Sequence, residues 1–120
     1  MKKYSHNVDY IKFTPDFLKY LKISKGIITL AGHKTLCGAL VYQKPILCYP
    51  IEDHVEQVLN AYSLREFIQV SHKSTLKVIR TDLRRFLKEI KILEKKVKKL
   101  NVSNNGSEQI AKIIQSIAKK

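Results

Sequence analysis

The stretch Gly26-Ile27-Ile28-Thr29-Leu30-Ala31-Gly32-His33-Lys34-Thr35-Leu36-Cys37-Gly38-Ala39-Leu40 decides the fold class. Ile27 to Ala31 is a nearly continuous apolar run of strand length, the pattern of a strand buried on both faces of a parallel sheet. Gly26 and Gly32 bracket it, and Thr35 to Tyr42 then reads as a short helix. The alternation repeats downstream. Pro45-Ile46-Leu47-Cys48-Tyr49-Pro50 is a second buried strand between prolines, Asp53 to Arg65 a helix with Val55, Val58 and Leu59 on one side, and Phe67-Ile68-Gln69-Val70 a last short strand. Upstream, Val8-Asp9-Tyr10-Ile11 is β-prone. Thr14-Pro15-Asp16 reads as a helix start, with Thr14 at the N-cap, Pro15 at the first helical position and Phe17, Leu18 and Leu21 as the apolar face. Strands alternating with helices make βαβ units. The expected fold is α/β: a partial Rossmann-like parallel sheet of about four strands, near residues 8–12, 27–31, 46–49 and 67–70, with flanking helices and a long carboxyl-terminal helical region.

From Leu76 the period changes. Leu76, Ile79, Leu83, Phe86, Ile90, Leu93, Val97 and Leu100 are spaced alternately three and four residues apart, a heptad pattern on one long helix. Asn104-Asn105-Gly106 breaks it, and Ser107-Glu108-Gln109 opens a final helix whose Ile110, Ile113, Ile114 and Ile117 share a face. Two outcomes fit these stripes: packing on the sheet and on each other, or a seam for self-association. The domain reading is a partial α/β unit at residues 1–72 and a basic amphipathic helical segment at 73–120 packing on it.

Charge follows the same division. Residues 1–72 hold 9 Lys/Arg and 6 Asp/Glu, a net of +3, and residues 73–120 hold 14 and 4, a net of +10, which together make the formal +13 of the 120-residue chain. Such a balance favours an anionic partner: nucleotide, nucleic acid or acidic lipid surface. Cys37 and Cys48 match neither a CxxC nor a zinc spacing, so a disulfide scaffold and a structural metal are poorly supported and a reducing cytosol is the default. The start has no apolar stretch behind its lysines, and no run approaches the ~18 apolar residues of a membrane span. The expected location is cytoplasmic, with a peripheral contact to an anionic membrane allowed by the charge.

Two stretches carry chemistry. Ala31-Gly32-His33-Lys34-Thr35-Leu36 is a glycine turn leaving a buried strand and entering a helix, where unsatisfied N–H groups and the positive dipole end receive phosphate. It is neither GxGxxG nor a P-loop, and an ordinary turn explains it equally well. Pro50-Ile51-Glu52-Asp53-His54-Val55-Glu56-Gln57-Val58-Leu59-Asn60-Ala61 places carboxylates and amides where open parallel sheets collect ligands, suited to sugar hydroxyls. The same acidic residues also stabilise a helix start through its dipole. Local physics leaves both readings open.

With their spacing, GIITLAGHKTLCGAL and QKPILCYPIEDHVEQVLNAYSL within residues 8–64 resemble the carboxyl-terminal, donor-binding half of a GT-B glycosyltransferase, MurG-like or family 28-type, and NNGSEQIAKII resembles the last helix of such proteins. The resemblance implies that Gly32, His33 and Thr35 face a nucleotide diphosphate, that Glu56 and Gln57 reach sugar or ribose hydroxyls, and that Asn60 supports the same helix. It implies a uridine diphosphate sugar as ligand, with no further cofactor, no metal and no catalytic residue in this stretch. Gly38 departs from the pattern: the family carries a ribose-gripping glutamate there, and the loss of such a bond is worth roughly 1.5–3 kcal/mol. The acceptor domain and its catalytic base have no counterpart in these residues.

Three functions follow: a donor-binding glycosyltransferase component, competent in hexosyl transfer only with an acceptor domain or partner; a degenerate, non-catalytic module acting in assembly; and a basic nucleic-acid binder. The last is disfavoured because the basic half has one aromatic, Phe86, and it falls on the apolar seam. A homodimer through the heptad or a complex with a separate acceptor-domain subunit is expected, since half a Rossmann sheet leaves an open edge.

Overall fold

The computed structural model describes residues 2–5 and 7–119, with side chains from residue 7 onward. The elements run β1 (Lys2–Ser5), β2 (Val8–Tyr10), α1 (Phe17–Ile23), β3 (Ile27–Thr29), α2 (His33–Val41), β4 (Ile46–Cys48), α3 (Val55–Leu64), β5 (Gln69–Val70), α4 (Leu76–Lys99) and α5 (Gly106–Ala118). Strands β3, β4 and β5 form a parallel sheet in that order, with Ile27 opposite Ile46, Ile28 opposite Leu47 and Leu47 opposite Gln69. The α/β expectation holds, with three parallel strands. The strand expected near residues 8–12 is not among them: β2 pairs antiparallel with β1 in a separate hairpin, Lys3 opposite Asp9. A partner a few residues away closes a much smaller loop than a distant sheet edge does.

The central strand explains the helix arrangement. Ile46, Leu47 and Cys48 are all fully buried, so both faces of β4 need cover. Ile46 and Cys48 lie among Leu21 of α1, Leu36, Ala39 and Leu40 of α2, and Ala61 of α3. Leu47 and Tyr49 lie on the other face under Phe86 and Leu93 of α4, with Ile79, Leu83 and Ile90 around them. The heptad stripe is therefore spent on the chain's own sheet, and only Leu76, at its start, is left largely exposed. A self-association seam along that stripe is replaced by intramolecular packing. Gly26 admits the close approach: a Cβ there would lie 2.9 Å from Phe86 Cζ and 3.2 Å from the Pro45 carbonyl oxygen.

Two bonds to one residue fix α4 across the sheet. The Tyr49 hydroxyl donates to Asp82 Oδ2 at 3.0 Å, and Gln69 Nε2 donates to the Asp82 carbonyl at 3.1 Å. Burial, then the bond to Asp82 and its charge, push the Tyr49 phenol up to about 12, so it stays a donor. Burial alone pushes the Cys48 thiol up to about 11.

Apolar surface remains uncovered in four places among the described residues. On α3 the expected core face, Val55, Val58 and Leu59, is exposed, and the buried residue is Ala61; on α1, Leu21 is buried while Phe17 and Leu18 are exposed. Ile28 and Leu30, at the β3 edge, are also exposed, and α5 has no buried residue, its four isoleucines included. No helix among the described residues is long and apolar enough to cross a membrane.

Candidate functional site

The β3–α2 and β4–α3 loops leave the carboxyl edge of the parallel sheet, where open α/β sheets bind ligands. Each contains one non-glycine residue in the left-handed region, Ala31 at φ 72° and Asp53 at φ 63°. Two others, Gln43 and Asn101, follow helices and have a capping reason for it. At Gln43 the N–H groups of residues 43 and 44 return to the carbonyls of Leu40 and Ala39, at 3.0 and 2.8 Å. Asp53 is the third residue of a turn closed by the His54 N–H on the Ile51 carbonyl at 3.2 Å, where a left-handed residue belongs; Ala31 precedes a helix and closes no such cap. Left-handed backbone costs a residue with a Cβ on the order of 1–3 kcal/mol, and such strain concentrates at ligand sites.

Neighbouring side chains hold the strained loops. Asn60 Nδ2, on α3, donates to the carbonyl of Ala31 at 3.1 Å, joining the two loops across the sheet edge. Gln57 Oε1 accepts from the Ile51 N–H at 3.1 Å, and the Gln57 N–H is received by Nδ1 of His54, the N-cap of α3, at 3.4 Å. Glu56 stands exposed in the first turn of α3. Gln57 and Asn60 thus brace the loops in the chain as it stands.

Gly32 is the N-cap of α2, at φ −64° and ψ 133°, a conformation any residue adopts, and nothing lies within 4 Å of where its Cβ would be. Neither backbone nor packing requires glycine here; the space over it is open. No side chain caps α2, and its first helical bond runs from the Leu36 N–H to the Gly32 carbonyl, so the N–H groups of residues 33–35 have no intrahelical acceptor. His33 lies along the helix beside Cys37, with Nε2 3.6 Å from Sγ. Thr35 lines a small apolar hollow against α1, with Phe17, Tyr20 and Ile28.

Gly38 has a packing role that its sequence position did not disclose. A Cβ there would lie 3.1 Å from Leu21 Cδ2 and 3.7 Å from Leu18 Cδ2, so it faces α1. A glutamate built at Gly38 meets that helix before it meets any ligand.

Residues outside the sequence-derived set complete the edge. A cleft of about 340 Å³ opens at the carboxyl ends of all three strands, walled by Leu30, Tyr49 to Glu52 and Ser71 to Ser74. Lys73 brings positive charge to it beside His72, and none of the six residues singled out from the sequence lines it. The signal was present as a polar Ser-His-Lys-Ser-Thr loop directly after a buried strand. A larger hollow, about 600 Å³, lies at the opposite, amino-terminal edge. No group of three or more His, Cys, Asp or Glu suited to a metal ion occurs among the described residues.

A sequence model described as glycosyl transferase family 1 matches residues 1–91. An uncharacterized glycosyltransferase of Methanosarcina mazei is 28% identical over 124 residues, covering 99% of this chain and 33% of the relative. A second from the same organism is 41% identical over 64 residues, covering 53% of this chain and 17% of its own length. One from Methanosarcina acetivorans is 40% identical over 60 residues, covering 50% and 16%. The chain spans a third or less of the length of these relatives. No solved structure gives a significant match.

Proposed function

This chain belongs to glycosyl transferase family 1, and we propose that it is the donor-binding part of a GT-B-type glycosyltransferase, holding a nucleotide diphosphate sugar at the carboxyl edge of its parallel sheet. The observation that carries the reading is the β3–α2 loop. A strained Ala31, tied to α3 by Asn60, delivers a glycine with open space above it to the uncapped start of α2. That is the arrangement a diphosphate needs: N–H donors aimed outward, a favourable dipole and no side chain in the way. His33 and Lys34 lie on the same turn, and Lys73 adds charge from the third loop, beside His72.

In this reading Glu56, and Gln57 through its Nε2, meet sugar or ribose hydroxyls. Transfer breaks the bond between the anomeric carbon and the diphosphate oxygen as an acceptor oxygen attacks. The charge gathering on the leaving diphosphate is met by the same N–H groups. Attack geometry requires the acceptor to be held as well, so turnover awaits an acceptor-side domain, on a longer polypeptide or a separate one. The exposed apolar residues of α1 and α3 suit such a partner better than a second copy paired through the heptad, which the sheet already occupies. The finer reading is a MurG-like, family 28-type site for a uridine diphosphate sugar, in the cytoplasm.

Calorimetric titration with a uridine diphosphate sugar tests this. Wild type should bind weakly, and Gly32→Val should abolish binding without loss of thermal stability, because the added side chain meets only the space assigned to the ligand. Equal binding by Gly32→Val would reject the assignment. A second reading, a degenerate non-catalytic module, is favoured by Gly38, which packs on Leu21 where the family's pattern has a ribose-gripping carboxylate.

A further inference from the structure

The outer side of α4 carries Lys77, Arg80, Arg84, Lys88, Lys91, Lys95 and Lys99, spaced 3, 4, 4, 3, 4 and 4 residues apart. That spacing sets all seven on one side of the helix, opposite the Phe86, Leu93 and Val97 side that packs inward. All seven are exposed. At 1.5 Å per residue the stripe is about 33 Å long, with one positive charge every 5.5 Å or so. The carboxylates of α4 are engaged elsewhere, Asp82 with Tyr49, Glu89 with Arg85 and Glu94 with Lys98, and among the described residues no ion pair reaches any of the seven. Like charges at this helical spacing destabilise an isolated helix. An extended anionic surface reverses the sign of that contribution.

Two further features choose among anionic surfaces. Leu87 and Ile92 flank the stripe on either side and are 59% and 57% exposed. Around the hollow at the amino edge of the sheet, Lys25 and Lys44 join Lys91, widening the stripe into a patch in which Lys98 is paired with Glu94. We propose that this face of α4 docks on an anionic lipid bilayer, its cations at headgroup phosphates and Leu87 and Ile92 sunk between the headgroups. Nucleic acid offers comparable charge, but on α4 itself no aromatic stands beside the stripe to stack on bases, Tyr42 alone lining the adjoining hollow, and a phosphate backbone has nothing to receive exposed aliphatic side chains. The inference rests on α4 alone and is independent of the donor-site reading.

The test is co-sedimentation of the full chain with vesicles of phosphatidylcholine alone and of phosphatidylcholine mixed equally with phosphatidylglycerol, at physiological ionic strength. The chain should sediment with the anionic vesicles only and be released by high salt. Lys88→Gln, Lys91→Gln and Lys95→Gln together should lower partitioning by roughly tenfold or more. Lys12→Gln, Lys19→Gln and Lys22→Gln, an equal loss of charge elsewhere, should lower it far less. Glutamine keeps helix propensity near that of lysine, and circular dichroism checks that the helix survives. Failure of wild type to bind anionic vesicles, equal losses in the two triple variants, or tighter binding to duplex or single-stranded DNA than to vesicles would each overturn the proposal.

Discussion

The side-chain amide of Asn60 donates to the carbonyl of Ala31 across 3.1 Å, from the middle of α3 to the residue that turns the chain out of β3. The bond is half-buried and fastens a residue at φ 72° whose own conformation resists being held. Removing the donor leaves the strain without its restraint. Asn60→Ala should lower the unfolding free energy by about 1–2 kcal/mol in urea denaturation, the usual range for a lost hydrogen bond with part of its desolvation. Asn60→Asp, which has no donor at neutral pH, should behave alike. A change within experimental error would mean that Ala31 keeps its conformation unaided.

Gly38 gives a prediction opposite to the one its sequence position suggests. A carboxylate there would be expected to tighten a nucleotide, yet the position faces Leu21 and Leu18 of α1. Gly38→Glu should lower the thermal midpoint without tightening nucleotide binding, because its Cβ would lie 3.1 Å from Leu21 Cδ2 and press on α1. Stable folding with tighter nucleotide binding would show that α1 moves aside.

Phe86 covers Gly26 on the other face of the sheet. Gly26→Ala should cost about 1–3 kcal/mol, since the new Cβ would sit 2.9 Å from the Phe86 ring. Phe86→Leu should cost less in the Gly26→Ala background than in wild type, a coupling that a double-mutant cycle measures directly.

How much of this the residues disclosed beforehand depends on which partner each segment needed. The alternation from Ile27 to Val70 was legible because Ile46, Leu47 and Cys48 form an uninterrupted apolar run, and only a strand covered on both sides hides all three. The same fact settles the heptad. Helices α1 to α3 cover one face of β4, so α4 is needed for the other, and its stripe was ambiguous only while the sheet was unseen. Val8 to Tyr10 read correctly as a strand and incorrectly as a sheet member, because β-propensity says nothing about the partner. Val55, Val58 and Leu59 looked like a core face, but Ala61 and its smaller side chain is what α3 buries. At the site, the loops were legible from glycine and polar residues at strand ends. The strain at Ala31 was not, because alanine, unlike aspartate, is not a residue that advertises a left-handed backbone.

Tyr49 makes stability depend on pH at the alkaline end. Its phenol is held near 12 in the folded chain against an ordinary value of about 10, so the contribution is complete below pH 10 or so and is lost as pH rises toward 12. Urea midpoints of wild type should fall more steeply above pH 10 than those of Tyr49→Phe, which lacks the ionising group. Parallel curves would remove Tyr49 from the alkaline transition.

The central claim is that the carboxyl edge of the parallel sheet holds a nucleotide diphosphate sugar. It is tested most directly by following backbone amide shifts of the intact chain while a uridine diphosphate sugar is added to millimolar concentration. Saturable shifts should appear at residues 31–36 and 51–60 and in the 71–74 loop, and Gly32→Val should eliminate them while leaving the rest of the spectrum unchanged. A folded spectrum with no shifts, or with shifts confined to the hollow at the amino edge around Lys25 and Lys44, would contradict the account.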